Sequence, residues 1–165
     1  MCSSDLNYLA TGNAPSRMGN AHPNLVPYAV FDCADGWIIL ATGNDSQYRK
    51  LCGILGLGDM AEAPEFLTNA DRIANRAELT RRLTEATKRF TKADLLAACE
   101  TEGVPAGPIN DMAEVFADPQ VVARGMQLDM GGIPGVRSPM TFSAAELALG
   151  RPAPKLGEHQ DEVLG

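Results

Sequence analysis

The residues that could do chemistry are concentrated in a loop near the start of the chain, PSRMGNAHPNLVPY at residues 15–28. This loop holds a cation at Arg17, an amide at Asn20 and an imidazole at His22, a side chain that can donate or accept a proton. Gly19 allows backbone N–H groups to approach a ligand closely. These residues are typical of a loop that holds a substrate, although a plain connection would also account for them.

A second candidate, ATGNDSQ at residues 41–47, follows a strand-like segment and opens a helix. Helix N-termini attract anionic or carbonyl ligands through their N–H groups and dipole. The alternative is that Asn44, Asp45 or Ser46 only caps the helix. A third candidate, GVPAGP at residues 103–108, could shape a pocket or a subunit contact, and could equally be a turn.

The sequence has no catalytic motif, since it lacks G-x-S-x-G, H-E-x-x-H, a P-loop and a dinucleotide fingerprint. The four cysteines show neither a C-x-x-C pair nor zinc-ligand spacing; they are Cys2, Cys33, Cys52 and Cys99. We therefore expect no metal site, and we expect free thiols in a reducing compartment.

Composition excludes several classes of function. The 165 residues are enough for one domain, and a net charge of −7 makes binding to nucleic acids or anionic membranes unfavourable. No apolar run is as long as a membrane span, so we expect a cytoplasmic protein with no membrane partner.

Patterns of residues predict an α+β fold with helices in the middle and strands at both ends. LNYLATG is typical of a helix that ends at Gly12. Residues 25–31 and 37–41 are rich in β-formers, and Asp35-Gly36 between them predicts a hairpin turn. GVPAGPIN predicts a rigid loop, and the Gly-rich segment from Met126 predicts a second hairpin, followed by a Pro-rich tail.

Helical periodicity predicts three central helices, whose apolar faces contain Tyr48, Leu51, Cys52 and Leu55; Leu79, Leu83, Ala86 and Phe90; and Leu95, Leu96 and Cys99. We expect the first to stop at Gly56 and Gly58 and the third to stop at Gly103. Capping signals predict the starts of four helices: Asn75 with Glu78, Thr91 with Asp94, Asn110, and Asp118 before Pro119.

Four segments, found in the same order in a known family, together resemble the class III coenzyme A transferases (the CaiB/BaiF family). They are NYLATGNAPSRMGNAHPNLVPYAVFDCADGWIILATGNDSQYRKLC, DRIANRAELT, EGVPAGPINDMAEVFADPQVVARGM and LGEHQDEVL. The resemblance extends from Leu6 to Leu164. The family includes formyl-CoA and carnitine-CoA transferases and 2-methylacyl-CoA racemases.

The resemblance implies that this chain is the C-terminal portion of a longer protein whose first half is a Rossmann-like large domain. It implies the end of a linker helix at residues 1–16, a small α+β domain at 17–125 and a segment at 126–165 that returns to the large domain. MCSSDL, residues 1–6, also matches a translated sequencing adapter, so we expect it to be non-native. We expect exposed apolar surface at four positions of the returning segment: Leu128, Met130, Met140 and Phe142.

The resemblance also implies CoA transfer between carboxylic acids through an aspartyl intermediate. The aspartate would lie in the missing half, so we assign no catalytic residue to this chain and expect the chain alone to be inactive. The acyl-CoA thioester would be a substrate, with no cofactor, and the full-length protein would be an interlocked homodimer.

The family's mobile cover over the active site aligns with five substrate-binding candidates: Met18, Gly19, Asn20, Ala21 and His22. Asn44 and Asp45 would orient the substrate or cap the helix. The racemases have an acidic residue at the position of Asn44, which favours a transferase. A racemase and a non-catalytic assembly module remain the alternatives.

Overall fold

The computed structural model describes residues 3–165, which divide into two compact units. The first unit ends at Ile109 and the second is Asn110–Gly165. Met1 and Cys2, part of the segment expected to be non-native, lie outside the described residues. The two short helices after residue 110 belong to the second unit. The domain bounds implied by the resemblance, at residues 16 and 125, stay predictions.

The predicted α+β class is confirmed. In the first unit the elements are α1 (Ser3–Thr11), β1 (Tyr28–Cys33), β2 (Gly36–Ala41), α2 (Asp45–Ile54), α3 (Gly58–Ala61), a 3₁₀ helix (Pro64–Phe66), α4 (Asn69–Ala74), α5 (Arg76–Thr87), α6 (Lys92–Glu102) and β3 (Ala106–Ile109). The second unit contains α7 (Met112–Ala117), α8 (Pro119–Ala123), β4 (Gln127–Asp129), β5 (Pro134–Val136) and α9 (Gln160–Leu164).

The predicted hairpin is confirmed, but its turn is one residue earlier than expected. Cys33 pairs with Gly36, so the two connecting residues are Ala34 and Asp35. Asp35 is fixed there because its Oδ1 accepts a hydrogen bond from the backbone N of Lys92 at 2.7 Å. Gly36 is the first residue of β2, with a φ of 150° that favours glycine.

The prediction of a plain loop at GVPAGPIN was wrong, because its centre forms β3. This strand pairs antiparallel with β2, placing Ala106 opposite Leu40 and Ile109 opposite Trp37. Pro108 has no N–H to donate to a ladder, and it is tolerated because β3 is an edge strand of the β1-β2-β3 sheet. The sequence did not predict this strand because glycine and proline are rare in β-strands.

Several predicted helix ends are confirmed by hydrogen bonds. Asn44 caps α2 by accepting from the backbone N of Gln47 at 2.9 Å, and Thr91 caps α6 by accepting from that of Asp94 at 3.1 Å. Gly103 ends α6 in the left-handed conformation, with a φ of 68°. The side chain of Asp118 caps α8, which has proline at its first position.

The helix start predicted at Asn75 is confirmed, because α5 begins at Arg76, but the predicted capping box with Glu78 was wrong because the Asn75 side chain does not cap the helix. The box is at Thr68 and Asp71, where it opens α4, a helix that was not predicted. The amide of Asn75 instead donates to the carbonyls of Glu65 and Asp71, each at 3.0 Å. The pattern that marks a capping box is therefore Thr68-x-x-Asp71, seven residues before Asn75.

The cap predicted at Asn110 was also wrong by one residue. Asp111 accepts a hydrogen bond from the backbone N of Glu114 at 2.8 Å, and the side chain of Glu114 accepts from the backbone N of Asp111 at 2.9 Å. This capping box begins α7 at Met112.

The core of the first unit lies between one face of the sheet and α2, α5 and α6. The buried apolar side chains come from these elements and from the segment between α2 and α4; they include Phe31, Ile38, Leu40, Tyr48, Leu51, Leu55, Phe66, Leu79, Leu83 and Leu95. The apolar positions of the three predicted helices therefore face the core, although Leu96 and Phe90 are only partly buried. Phe90 also lies beyond the end of α5.

Three cysteines belong to this core: Cys33, Cys52 and Cys99. Burial raises the pKa of each thiol, that of Cys99 to about 11. At pH 8, a pKa of about 11 leaves about one thiol in a thousand ionised, and the thiolate is the reactive form.

We expect these three thiols to react slowly with a disulfide reagent such as Ellman's reagent while the protein is folded. The reaction of Cys99 should accelerate steeply between pH 8 and 10, and all thiols should react at once in urea. Fast, stoichiometric modification of Cys33, Cys52 or Cys99 in folded protein, located by mass spectrometry, would contradict this burial.

The second unit confirms the predicted C-terminal hairpin, in which Gln127 pairs with Val136 and Asp129 with Pro134. Of the four side chains predicted to be exposed, Met140 and Phe142 are more than half exposed. Leu128 and Met130 are partly buried instead. Gly135 explains this difference, because its lack of a side chain leaves space that the Met130 methyl and the Leu128 Cβ fill. No helix within residues 3–165 is long and apolar enough to cross a membrane.

Candidate functional site

The loop before β1 contains a tight turn whose far side is fixed to the sheet. The backbone N of Ala21 donates to the carbonyl of Met18 at 3.2 Å, and Gly19 within this turn has a φ of 61°. Beyond the turn, Asn20 Oδ1 accepts from the backbone N of Val30 at 3.1 Å. The backbone N of His22 donates to the carbonyl of Tyr28 at 2.9 Å. Asn20 and His22 are therefore anchored, while residues 15–19 are exposed.

The side chain of His22 is held on both sides. Its ring stacks on that of Tyr28, with 5.2 Å between centroids and 16° between planes. Its Nδ1 accepts a hydrogen bond from the backbone N of Asn24 at 3.0 Å. The imidazole therefore has a defined orientation relative to β1.

Two arginines that sequence reasoning did not single out hold the backbone after the turn. Arg76 donates from Nη1 to the carbonyl of His22 at 3.0 Å and from Nη2 to that of Pro23 at 2.7 Å. Arg72 donates from Nε to the carbonyl of Val26 at 2.7 Å. Burial lowers the pKa of Arg76, which nevertheless stays charged at neutral pH. Both residues lie in DRIANRAELT, so that segment was the available signal.

Asparagines complete the support of the loop. Asn7 in α1 and Asn24 exchange hydrogen bonds of 2.8 and 3.1 Å between their side-chain amides. Asn69 donates to the carbonyl of Asn24 at 2.8 Å and accepts from the backbone N of Val26 at 3.1 Å. The loop is thereby connected to α1 and α4 as well as to β1.

A cavity of about 560 Å³ lies between α1 and this loop. Three of the five predicted loop residues line it: Met18, Gly19 and Ala21. Amides and a hydroxyl from Asn7, Thr11 and Asn24 add polar atoms to its wall. The cavity is large enough for a small organic acid.

The second candidate segment has roles that its contacts define. Asn44 caps α2, as described above. Asp45 Oδ1 accepts from Nη2 of Arg72 at 2.6 Å, and the guanidinium of Arg72 lies 4.4 Å from the ring centre of Tyr48. Because Arg72 also binds the carbonyl of Val26, this one side chain links the segment at Asp45 to the end of the loop.

The described residues contain no group of three or more His, Cys, Asp or Glu side chains that could hold a metal ion.

Replacing Gly19 with alanine is expected to open the turn. An added Cβ would meet no atom within 4 Å, so the cost is that of a left-handed backbone alone, about 1–2 kcal/mol. Amide hydrogen exchange at Ala21 should become roughly 5–30 times faster.

Gly58→Ala is the matched control, because an added Cβ there also meets nothing within 4 Å and its φ is not positive. It should leave exchange at Ala21 unchanged. Equal exchange at Ala21 in the Gly19→Ala and parent proteins would show that the turn does not require glycine.

Comparison with protein families assigns the chain to a known family. The family model for CoA-transferase family III matches residues 1–160, so this chain is a member of that family. The match includes the six residues that we expected to be non-native, and that expectation stays a prediction.

Individual relatives agree with this assignment. The chain is 50% identical to the succinate–glutarate CoA-transferase of Agrobacterium fabrum over 99% of its length, covering 42% of that protein. It is 38% identical to the acetyl-CoA:oxalate CoA-transferase of Acetobacter aceti over 90% of its length, covering 39% of that protein. A crystal structure of a CaiB/BaiF family protein from Brucella suis superposes with a TM-score of 0.87 at 51% identity, with coverage of 98% of this chain and 43% of that one. The chain thus spans about two fifths of the length of these relatives.

Proposed function

We propose that the protein containing this chain is an acyl-CoA:carboxylate CoA-transferase that moves coenzyme A between dicarboxylic acids. The observation that carries the proposal is the 50% identity to the Agrobacterium fabrum enzyme across almost the whole chain. The names of the relatives include succinate, glutarate and oxalate, and each of these acids has two carboxylates.

The loop at residues 15–24 is the substrate-binding element in this proposal, through Met18, Gly19, Asn20, Ala21 and His22. Two observations support this role: the cavity that Met18, Gly19 and Ala21 line, and the positive charge of Arg76 at the backbone of His22. Among the described residues, Arg76 has no carboxylate partner, so its positive charge next to His22 is not neutralised. A local positive charge in an acidic protein favours an anionic ligand. We propose that Asn44 and Asp45 do not contact the substrate, because Asn44 caps α2 and Asp45 pairs with Arg72.

The proposed reaction begins when an aspartate outside this chain attacks the acyl-CoA carbonyl and expels the CoA thiolate, forming a mixed anhydride. The thiolate then attacks the aspartyl carbonyl and releases the donor acid, leaving an aspartyl-CoA thioester. The acceptor carboxylate attacks the carbonyl of this thioester and expels the CoA thiolate, which forms a second mixed anhydride. The thiolate finally attacks the acceptor's carbonyl in that anhydride, which gives the new acyl-CoA and releases the aspartate as a carboxylate. Covalent catalysis of this kind divides one difficult transfer into easier steps.

The chain's own contribution would be to bind the acid and exclude water, because mixed anhydrides hydrolyse readily. No step needs a redox or metal cofactor, so we propose CoA thioesters and acids as the only small-molecule partners. We further propose an interlocked homodimer for the full-length protein, on the basis of the family. The cytoplasm is the proposed compartment, supported by the three buried free thiols.

A chimera tests this function. This chain would replace the matching two fifths of the Agrobacterium fabrum relative, and CoA transfer from succinyl-CoA to glutarate and to oxalate would be measured. We expect the chimera to transfer CoA and to keep the fold and oligomeric state of the Agrobacterium fabrum enzyme. A chimera that keeps both but transfers CoA to neither acid would contradict the proposal. Exchange of the α-proton of a 2-methylacyl-CoA without any acceptor acid would instead indicate a racemase.

A further inference from the structure

His22 is held so that one ring nitrogen remains for a ligand. Nδ1 accepts a hydrogen bond from the backbone N of Asn24, and an accepting nitrogen carries no proton. In the neutral ring the proton is therefore on Nε2. Among the residues that the structure describes, Nε2 has no hydrogen-bond partner. The stack on Tyr28 limits rotation of the ring, so Nε2–H is an oriented donor.

Arg76 determines where this donor lies. Its two hydrogen bonds, at 3.0 and 2.7 Å, hold the carbonyls of His22 and Pro23 and therefore hold the backbone that carries the imidazole. The guanidinium is half-buried and lacks a carboxylate partner in the described part of the chain. The Arg76 charge lies at the backbone carbonyl of His22, so the loop that carries the Nε2–H donor is locally positive. Such surroundings favour an anionic ligand such as a carboxylate.

We propose that His22 donates a hydrogen bond from Nε2 to a carboxylate of the acid substrate, and that Arg76 is a positioning residue that acts through His22. This inference rests on the proposed function, which supplies the acid. It adds the atom that binds, the group that is bound and the residue that orients the contact.

Two substitutions in the chimera separate the two nitrogens of His22. His22→Asn keeps an acceptor in the place of Nδ1 and loses the donor, whereas His22→Gln keeps a donor in the place of Nε2. Loss of a hydrogen bond to a charged group should raise the KM for the acid about tenfold to a hundredfold in His22→Asn. The KM for succinyl-CoA should stay within about twofold. His22→Gln should recover most of the loss.

Arg76→Ala tests positioning through a double-mutant cycle. If Arg76 acts through His22, its effect on the KM for the acid should largely vanish in the His22→Asn background. Arg81→Ala is the control, since Arg81 also lies in α5 and, among residues 3–165, its side chain pairs only with the partly exposed Glu78 and the exposed Glu85. It should not change the KM. Additive effects of His22→Asn and Arg76→Ala would overturn the positioning role.

The tautomer can be measured without activity, in the 165-residue chain itself. Nitrogen-15 NMR of its two histidines, recorded at a pH high enough for imidazoles to be neutral, should show the single ring proton of His22 on Nε2, with His159 as the internal reference. A His22 ring protonated on Nδ1 would overturn the inference. So would a His22→Asn chimera with the parent's KM, even though the proposed function would then stand.

Calorimetric titration of the chimera with succinate tests the carboxylate contact even if the chimera is inactive. An inactive chimera whose affinity for succinate falls about tenfold in His22→Asn would contradict the proposed function while supporting the carboxylate contact. The diamide of succinic acid is the matched ligand, and its affinity should not depend on His22. Equal succinate affinity in the parent and His22→Asn chimeras would overturn the contact.

Discussion

Replacing Arg72 with alanine is expected to lower the free energy of unfolding of the first unit by about 3–5 kcal/mol. Arg72 is 1% exposed, and all three nitrogens of its guanidinium donate hydrogen bonds. Nε binds the carbonyl of Val26, Nη1 binds those of Phe66 and Leu67 at 3.0 and 3.3 Å, and Nη2 binds Asp45. The alanine variant would leave buried carbonyls without donors and a cavity beside them.

Urea unfolding followed by the single tryptophan, Trp37, measures this loss, because Trp37 lies in β2 of the same unit. Arg81→Ala is the control: Arg81 also makes three side-chain hydrogen bonds, but it is exposed and should change the free energy by less than about 1 kcal/mol.

Asp45→Asn separates the ion pair from the carbonyl contacts. Asp45 is 44% exposed, so its carboxylate is partly hydrated and the substitution should cost about 1 kcal/mol or less. A loss for Asp45→Asn as large as that for Arg72→Ala would mean that the ion pair, and not the carbonyls, accounts for the effect.

Replacing Phe66 with alanine is expected to cost a similar amount, about 3–5 kcal/mol. The Phe66 ring is fully buried in the core, and the guanidinium of Arg82 lies 5.5 Å from its centre. Truncation would remove a large apolar surface and leave a cavity that surrounding helices cannot close completely.

The adjacent residue provides the control for Phe66. Leu67 follows it in sequence and is 38% exposed, so Leu67→Ala should cost about 1 kcal/mol or less. The same urea titration reports both variants. Equal destabilisation by the two substitutions would contradict the burial of the 3₁₀ helix that carries Phe66.

Regular patterns predicted most of the large elements of this chain. The apolar spacing of Tyr48, Leu51 and Cys52 places α2 correctly, because one stripe of a helix must face the core. Thr91 and Gly103 mark the ends of α6 for local reasons, a side-chain cap and a left-handed backbone. Such signals act within a few residues, so tertiary contacts do not change them.

Elements stabilised by distant residues were missed. β3 contains glycine and proline, and it is a strand because β2 supplies its partner. The 3₁₀ helix at Pro64–Phe66 is too short for periodicity, and its carbonyl at Phe66 depends on Arg72. The hairpin turn lies one residue before its predicted position. Its Asp35 accepts a hydrogen bond from the start of α6, more than fifty residues away in sequence.

The candidate site shows the same division. Residue types alone directed attention to Gly19, Asn20 and His22, and a resemblance to the class III CoA-transferases led to the prediction that their loop binds a substrate. The sequence alone could not show that Asp45 forms an ion pair with Arg72 or that Arg76 donates a hydrogen bond to the carbonyl of His22.

Sequence patterns were thus sufficient for the family, the α+β class and the position of the loop, because these depend on composition, short-range periodicity and motif order. The folded chain was needed to identify the two arginines that fix the loop. The physical reason is that a hydrogen bond between residues some fifty positions apart depends on where the fold places them, and no local pattern records that placement.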